Sequence, residues 1–232
     1  DATENLASYD PGSNQPLKPQ KMNQDEEDKK DICTICLDTC DDPVKMKKCG
    51  HLFCKICIDT QLQYKPVCPV CGTIYGVIRG NQPKGQMTRR IDKHHDLEGY
   101  EGYGTIEITY HMPGGIQGDD HPKPGQLYSG LIRNAYLPNN EKGQTVFNLL
   151  HLAFDRRLIF TIGQSVTSGK DDMVTWNNIR HKTSMFGGPQ RYGYPDPTYL
   201  DRVLEELAAK GVTEESEQQD SGICSVYETV VQ

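Results

Sequence analysis

The chain has 232 residues, 35% of them hydrophobic, and a formal net charge of −7 at pH 7. That is enough for one sizeable domain, or for a small domain followed by a medium one, and the acidic balance argues against a whole-surface nucleic-acid binder, which needs a basic footprint. No apolar run approaches the ~20 residues of a membrane span and nothing reads as a secretion signal, so the expectation is a soluble cytoplasmic or nuclear protein with no membrane partner.

Residues 1–31 hold few large apolar side chains, chiefly Leu6, Leu17 and Met22, and run into the charged cluster Asp25-Glu26-Glu27-Asp28-Lys29-Lys30. Such a segment cannot bury enough surface to offset its ordering entropy, and disorder is expected there. Eight of the nine cysteines then fall between residues 33 and 71, leaving Cys224 alone. Disulfides would demand an oxidising compartment, whereas Cys-x-x-Cys units with one interposed histidine have zinc-ligand spacing. The units are Cys33 and Cys36, Cys49 and His51, Cys54 and Cys57, and Cys68 and Cys71, which supply two tetrahedral sites. No ligand position is left open for water or substrate, so the metal is structural. Cys40 lies outside the spacing and reads as a surface or minor-core thiol. Lys45, Lys47, Lys48 and Lys55 either offset the thiolate charge or belong to a solvated loop. Spacing alone leaves two wirings open, sequential pairs or interleaved pairs.

The run Cys33-Thr-Ile-Cys36, Cys49-Gly-His51-Leu-Phe-Cys54-Lys-Ile-Cys57, Cys68-Pro-Val-Cys71 resembles a C3HC4 RING finger. The resemblance implies a cross-brace, with Cys33, Cys36, Cys54 and Cys57 on one zinc and Cys49, His51, Cys68 and Cys71 on the other. It also implies that the finger docks a ubiquitin-conjugating E2 enzyme through a shallow apolar groove. The matching residues are Ile35, Pro69 and Leu62, or Tyr64 in place of Leu62, from a short helix expected after Cys57. Two positions depart from many RING fingers: Gln61 occupies the region of a helix tryptophan, and Gly72 stands where a cation follows the last cysteine. The missing cation argues against strong activation of ubiquitin by the finger alone.

Beyond Cys71 the composition shifts to short apolar runs punctuated by Gly and Pro, as in an α+β domain with long loops. Ile106-Glu-Ile-Thr-Tyr110 alternates as a half-buried strand, and Leu158-Ile-Phe-Thr-Ile162 reads as a more buried one. Between them Val146, Leu149, Leu150, Ala153 and Phe154 mark one helix face. A last helix is signalled by Asp196 as N-cap, Pro197 at its first position, the stripe Tyr199, Leu200, Val203, Leu204 and Leu207, and Gly211 as its stop. The polar remainder after Gly211 is expected to be disordered.

The segments Gly80-Asn-Gln-Pro83, Tyr103-Gly-Thr-Ile106, His121-Pro-Lys-Pro-Gly125, Ala135-Tyr-Leu-Pro138, Phe160-Thr-Ile-Gly163, His181-Lys-Thr183 and Gly193-Tyr-Pro-Asp-Pro197 resemble the Deltex C-terminal domain. The expected organisation is therefore a disordered segment 1–31, a RING finger 32–74, a mixed α+β Deltex C-terminal domain 75–211, and a tail 212–232. The resemblance implies a RING-type E3 ubiquitin ligase, acting in Notch signalling in the cytoplasm or nucleus, whose C-terminal cleft binds ADP-ribose or NAD. Ubiquitin would then go to ADP-ribosylated proteins, to ADP-ribosylated nucleic acid, or to an ADP-ribose hydroxyl, and some family members work with an ADP-ribosyltransferase. Carried over residue by residue, the cleft comprises Ser165, Thr167, Trp176, Arg180, His181, Tyr192 and Glu206, with Tyr192 and Glu206 catalytic. Arg180 stands where relatives usually have a second histidine.

Read without the resemblance, the sole tryptophan, Trp176, fits either the core or an adenine-stacking surface. His181 reads first as a structural histidine, and Arg180 either pairs with a pyrophosphate or sits on the surface. Helix geometry separates the two glutamates of the last helix. At about 100° per residue Glu205 points away from the apolar stripe, while Glu206 lies on its border, partly desolvated and suited to take a proton from a hydroxyl. Its bland alternative is an ion pair with Arg202 or Lys210. The rival readings of the whole chain are an ADP-ribose reader or scaffold with little ligase activity, and a zinc-stabilised nucleic-acid protein.

Overall fold

The computed structural model describes residues 32–164, 169–217 and 227–229. The segment 1–31 and the candidate residues Ser165 and Thr167 lie outside them.

The first module is built on very short elements: β1 (Pro43–Met46), β2 (Leu52–Cys54) and α1 (Lys55–Tyr64). Strands this short are marginal in isolation. Here β1 and β2 pair antiparallel with Pro43 opposite Cys54, so the turn between them carries Cys49 and His51. The helix begins at Lys55 rather than after Cys57, directly behind Cys54 as its N-cap. Starting there puts Cys54 and Cys57 one turn apart, on the same side of the first turn. Val44, Met46, Phe53 and Ile58 close a small core with Cys33, Cys40, Cys54 and Cys68.

The second domain is a three-stranded antiparallel sheet of β3 (Gln86–Asp92), β4 (Thr105–Met112) and β7 (Leu131–Pro138), in the order β3-β4-β7. The central strand alternates as its sequence requires: Ile106, Ile108, Tyr110 and Met112 are buried, while Glu107, Thr109 and His111 are not. The helix α2 (Glu141–Asp155) has Asn140 as N-cap, its side chain accepting from the Gly143 N–H, and presents Val146, Leu149, Leu150 and Ala153 to the core. Two small antiparallel pairs complete the sheet structure: β5 (Gly115–Ile116) with β6 (Leu127–Tyr128), and β8 (Phe160–Gly163) with β9 (Met173–Trp176). The last helix, α3 (Tyr199–Ala208), buries Tyr199, Leu200, Val203 and Leu207 against α2 and the sheet. No helix among the described residues is long and apolar enough to cross a membrane.

Two expectations are corrected. The N-cap of α3 is Thr198, not Asp196. Asp196 is instead buried between two cations, Lys182 at 2.5 Å and Arg202 at 2.7 Å. A buried lysine needs a carboxylate more than an exposed helix start needs a cap. The chain beyond Gly211 is also ordered in part. Val212 is fully buried, a short 3-10 turn covers Glu214–Glu217, and the guanidinium of buried Arg156 donates to Gly211 O and Ser216 O at 2.9 Å each. Further on, β10 (Tyr227–Thr229) pairs antiparallel with β1, Lys45 opposite Glu228. The free edge of β1 offers backbone partners that a composition-based reading of the tail does not see.

Candidate metal centres and cleft

In the first module the interleaved wiring is the one observed. Cys33, Cys36, Cys54 and Cys57 form one cluster and Cys49, His51, Cys68 and Cys71 the other, with the ligand atoms of each set within 4.8 Å of one another. A tetrahedral zinc with Zn–S of about 2.3 Å requires S···S edges near 3.8 Å. Cys36 Sγ and Cys54 Sγ are 3.8 Å apart, and Cys68 Sγ lies 3.7 Å from His51 Nδ1. Both donor sets therefore fit structural zinc, with the histidine presenting Nδ1.

The two Cys-x-x-Cys loops share one backbone shape. Leu37 N donates to Cys33 O, and Gly72 N to Cys68 O, both at 2.8 Å. The residue after each loop is left-handed, Leu37 at φ 63° and Gly72 at φ 73°. Glycine at position 72 thus satisfies backbone geometry. Tyr75, beyond the expected end of the finger, belongs to it: its hydroxyl donates to Cys49 Sγ at 3.2 Å and accepts from the N–H groups of Lys48 and Cys49 at 2.9 Å. Such contacts orient a metal ligand. Lys45, Lys47, Lys48 and Lys55 are all exposed, Lys48 donating to Ile74 O and Lys55 pairing with Asp59.

Beside the first zinc set a shallow, largely apolar depression is lined by Ile35, Ile56, Cys57, Thr60, Gln61 and Tyr64. Of the expected docking residues Ile35 and the alternative Tyr64 are here. Leu62 is not: it packs on the finger's core. The reason is helical phase, because Leu62 sits one turn past fully buried Ile58, whereas Ile56, Thr60 and Tyr64 share the opposite side. Pro69 is exposed and is not among the lining residues. Ile56, not among the expected docking residues, also lines the depression, and its spacing of four from Thr60 and of eight from Tyr64 is the sequence signal for that shared face.

In the second domain, the segment following β9 carries the candidate cleft residues. Trp176 is half-buried and stacks on Phe160 at 4.5 Å and on His181 at 4.3 Å between ring centroids. His181 is buried with both ring nitrogens engaged, Nδ1 with Ile179 O and Nε2 with the Tyr110 hydroxyl, each at 2.9 Å. Burial lowers its pKa to about 4, against the opposing pull of the Ile179 carbonyl, so it is neutral at physiological pH. It supports the Trp176 ring from beneath the surface. Burial pushes Asp196 up, but the hydrogen bonds from Arg202 and Lys182 outweigh it and hold the carboxyl at about 2.

Glu206 is half-buried and Glu205 exposed, as the helix phase requires. Its partner is neither Arg202 nor Lys210. Glu206 Oε2 accepts from the Arg180 backbone N–H at 2.7 Å, and Oε1 lies 3.4 Å from Arg180 Nε. The Tyr199 hydroxyl donates to Arg180 O at 3.1 Å, anchoring the same peptide from α3. Tyr192 stands exposed at the end of the 3-10 turn Pro189–Arg191, left-handed at φ 55°, its carbonyl accepting from Ser184 N. The arrangement places a carboxylate, an exposed guanidinium, an indole and a phenol along one run of chain joined to one helix.

Comparison with known families and proteins follows the same division. Residues 79–212 match the family model described as the Deltex C-terminal domain, and residues 32–71 match the C3HC4-type RING zinc finger. The chain is 50% identical over 196 residues to the probable E3 ubiquitin-protein ligase DTX3 of Mus musculus, covering 84% of this chain and 56% of that protein. It is 45% identical over 181 residues to the E3 ubiquitin-protein ligase DTX1 of Homo sapiens, covering 73% and 28%. With DTX4 of Mus musculus the identity is 42% over 210 residues, covering 79% and 33%. The chain thus spans about half or less of the length of these relatives.

Proposed function

Because the chain belongs to the Deltex family, joining a two-zinc RING finger to a Deltex C-terminal domain, we propose that it is a RING-type E3 ubiquitin ligase that directs ubiquitin to ADP-ribose-bearing acceptors. The observation that carries the ligase reading is the depression beside the first zinc set. Ile35 on the zinc loop and Ile56 on α1 are exposed large apolar side chains on either side of it, the kind of anchor a small docking interface uses. The reaction chemistry belongs to the cysteine of the E2, and the chain contributes proximity by holding the thioester near the acceptor.

In the C-terminal domain, ADP-ribose or NAD would lie along Trp176, Arg180 and Tyr192, with Ser165 and Thr167 contributing as the family resemblance implies. Trp176 offers an aromatic surface for adenine, Arg180 a cation for the diphosphate, and His181 supports the indole. Glu206, on α3, would take the proton of an attacking ribose hydroxyl, with Tyr192 as the second catalytic residue. ADP-ribosylated proteins are the natural acceptors on this reading, in the cytoplasm or nucleus.

The test is discharge of a ubiquitin-loaded E2 by the zinc-loaded chain, with and without ADP-ribose. Loss of the thioester faster than with the E2 alone, and a ubiquitin–ADP-ribose conjugate when the ligand is added, are expected. Glu206→Gln should lower the ratio of hydroxyl-directed to lysine-directed transfer about tenfold, and Glu205→Gln should leave it unchanged. ADP-ribose binding without any discharge would favour a reader that recruits rather than transfers, a reading to which the absence of a cation at Gly72 gives some weight.

A further inference from the structure

The two contacts between Arg180 and Glu206 differ in kind, one a hydrogen bond from the backbone and the other an ion pair. The backbone N–H that donates to Oε2 is fixed, because the same residue's carbonyl is tied to Tyr199 and the next residue, His181, is buried. The guanidinium at Oε1 is not. It sits at the end of a side chain that is 72% exposed, at 3.4 Å, and Glu206 is its one ion-pair partner among the described residues. An exposed pair of this sort is weak and readily exchanged. Yet while it holds, Oε2 accepts a hydrogen bond and Oε1 lies against a cation, and a carboxylate so occupied is a poorer acceptor for a substrate proton.

We infer that Arg180 is a specificity-determining residue that senses the diphosphate of the acceptor and leaves Glu206 for it when one is present. The inference rests on the ADP-ribose reading above. Without a diphosphate the guanidinium stays on Oε1. A diphosphate offers more charge and paired oxygens matched to the guanidinium fork, so it draws the side chain away by exchange rather than by opening an unpaired charge. Oε1 is then free while Oε2 keeps the backbone bond that orients it. The ribose hydroxyl oxygen attacks the thioester carbonyl carbon, the new C–O ester bond forms as the C–S bond breaks, the E2 cysteine leaves as thiolate, and the hydroxyl proton passes to Oε1. An acceptor that lacks the diphosphate binds next to a carboxylate still capped by arginine and reacts slowly.

The experiment is single-turnover transfer from the ubiquitin-loaded E2 by the full zinc-loaded chain and its Arg180→Ala and Arg180→Lys variants. The acceptors are ADP-ribose and, without the diphosphate, whichever of adenosine and methyl riboside carries the accepting ribose. Wild type should strongly prefer ADP-ribose. Arg180→Ala should raise KM for ADP-ribose about tenfold, as loss of a charged contact does, and should transfer to the diphosphate-free acceptor about threefold faster than wild type, the gain that release from a weak pair allows. That gain is the deciding result, because removing a mere anchor cannot produce it. Arg180→Lys, which keeps a cation able to pair with either group, should retain most of the preference. If Arg180→Ala is no faster than wild type on the diphosphate-free acceptor, or if the preference survives in its kcat, the inference is overturned. Failure of wild type to use ADP-ribose at all would instead remove the parent reading. Arg180→Gln repeats the measurement if thermal unfolding shows the alanine variant to be compromised.

Discussion

Four of the eight buried residues at the centre of the finger are cysteines, and its strands run to four residues or fewer, whereas the second domain buries twenty-three residues in one continuous cluster spanning a sheet and two helices. The finger cannot form a sufficient apolar core at that size and relies on ligand bonds. The second domain is held by apolar burial and has room in its interior for a charged triad. What differs is where the information sits. Ligand spacing is local in sequence, while a packed core and the cleft above it are assembled from segments far apart.

The sharpest way to break the comparison is to remove the metal. Structural zinc contributes on the order of 10–16 kcal/mol to small zinc modules, far more than the finger's apolar core can replace. Metal analysis should return two zinc ions per chain. A strong chelator should then abolish amide-exchange protection in β1, β2 and α1 while β4, β7 and α2 keep theirs. Protection lost or retained together in both regions would show that the two halves do not have separate sources of stability.

Charge plays the corresponding part in the second domain. Asp196 and Lys182 have side chains only 3% and 5% exposed, with Arg202 closing the triad. Asp196→Ala leaves a buried lysine without its acid and should cost ~3–5 kcal/mol, read as a lower unfolding temperature with the zinc content unchanged. The pH dependence has two windows. His181 titrates at about 4 in the folded protein against an ordinary 6.5, so its contribution is complete above about 6.5 and is lost as pH falls through 4. Asp196, held at about 2 against an ordinary 3.8, contributes above about 4 and loses its share as pH falls through 2. The domain's unfolding temperature should therefore decline in two stages on acidification, and Asp196→Ala should shrink only the lower stage, to which Asp92, also held at about 2 by hydrogen bonds from His94 and His95, contributes the rest.

A smaller effect distinguishes surface from core within the finger itself. Ile35→Ala and Ile56→Ala should each weaken E2 binding by about 1–2 kcal/mol with both zincs retained. Leu62→Ala, which opens the core instead, should lower the finger's stability and touch E2 binding only through that. Titration of a ubiquitin-free E2 against each variant, with unfolding measured in parallel, separates the two; equal binding losses in Leu62→Ala and Ile56→Ala without a stability change would place the docking surface elsewhere.

These contrasts mark how much was legible in the sequence. The eight ligands could be read because each chelating pair is separated by one or two residues, and the interleaved wiring follows from the RING resemblance. That Ile35 stands exposed was legible from its place on a zinc loop, whereas the packing of Leu62 on the finger's core follows from a helix phase tied to Ile58, which the sequence reading did not use. Two of the strands, β4 and β8, together with α2 and the border position of Glu206, followed from period and pattern. The partner of Glu206 did not, since Arg180 lies 26 residues away and is brought in by the turn that leads from β9 towards α3. The same limit hid the Lys182–Asp196–Arg202 triad behind a plausible cap, and the return of the tail to β1.

The smallest expected effect concerns a backbone feature that the two halves share. Leu37 and Gly72 end the two zinc loops, and Gly211 ends α3, all with positive φ, 63°, 73° and 70°. A side chain in that region costs roughly 1 kcal/mol relative to glycine. In the second domain glycine occupies the position, and a Cβ added to Gly211 would also come within 3.2 Å of Ile74 Cδ1. In the finger one loop uses glycine and the other leucine, 78% exposed and unsupported by packing. The ligand bonds of Cys33 and Cys36, just before Leu37, hold it there at a cost that apolar contacts do not offset. Leu37→Gly should therefore tighten zinc retention at the first site by about 1 kcal/mol in a chelator competition, roughly fivefold, while Gly72→Ala should loosen the second by a similar amount. Gly211→Ala should lower the unfolding free energy of the second domain by at least as much, and leave zinc retention unchanged. If Leu37→Gly weakened the first site, the exposed leucine would have to serve as more than a tolerated side chain in a strained turn, and metal binding would no longer be what maintains that strain.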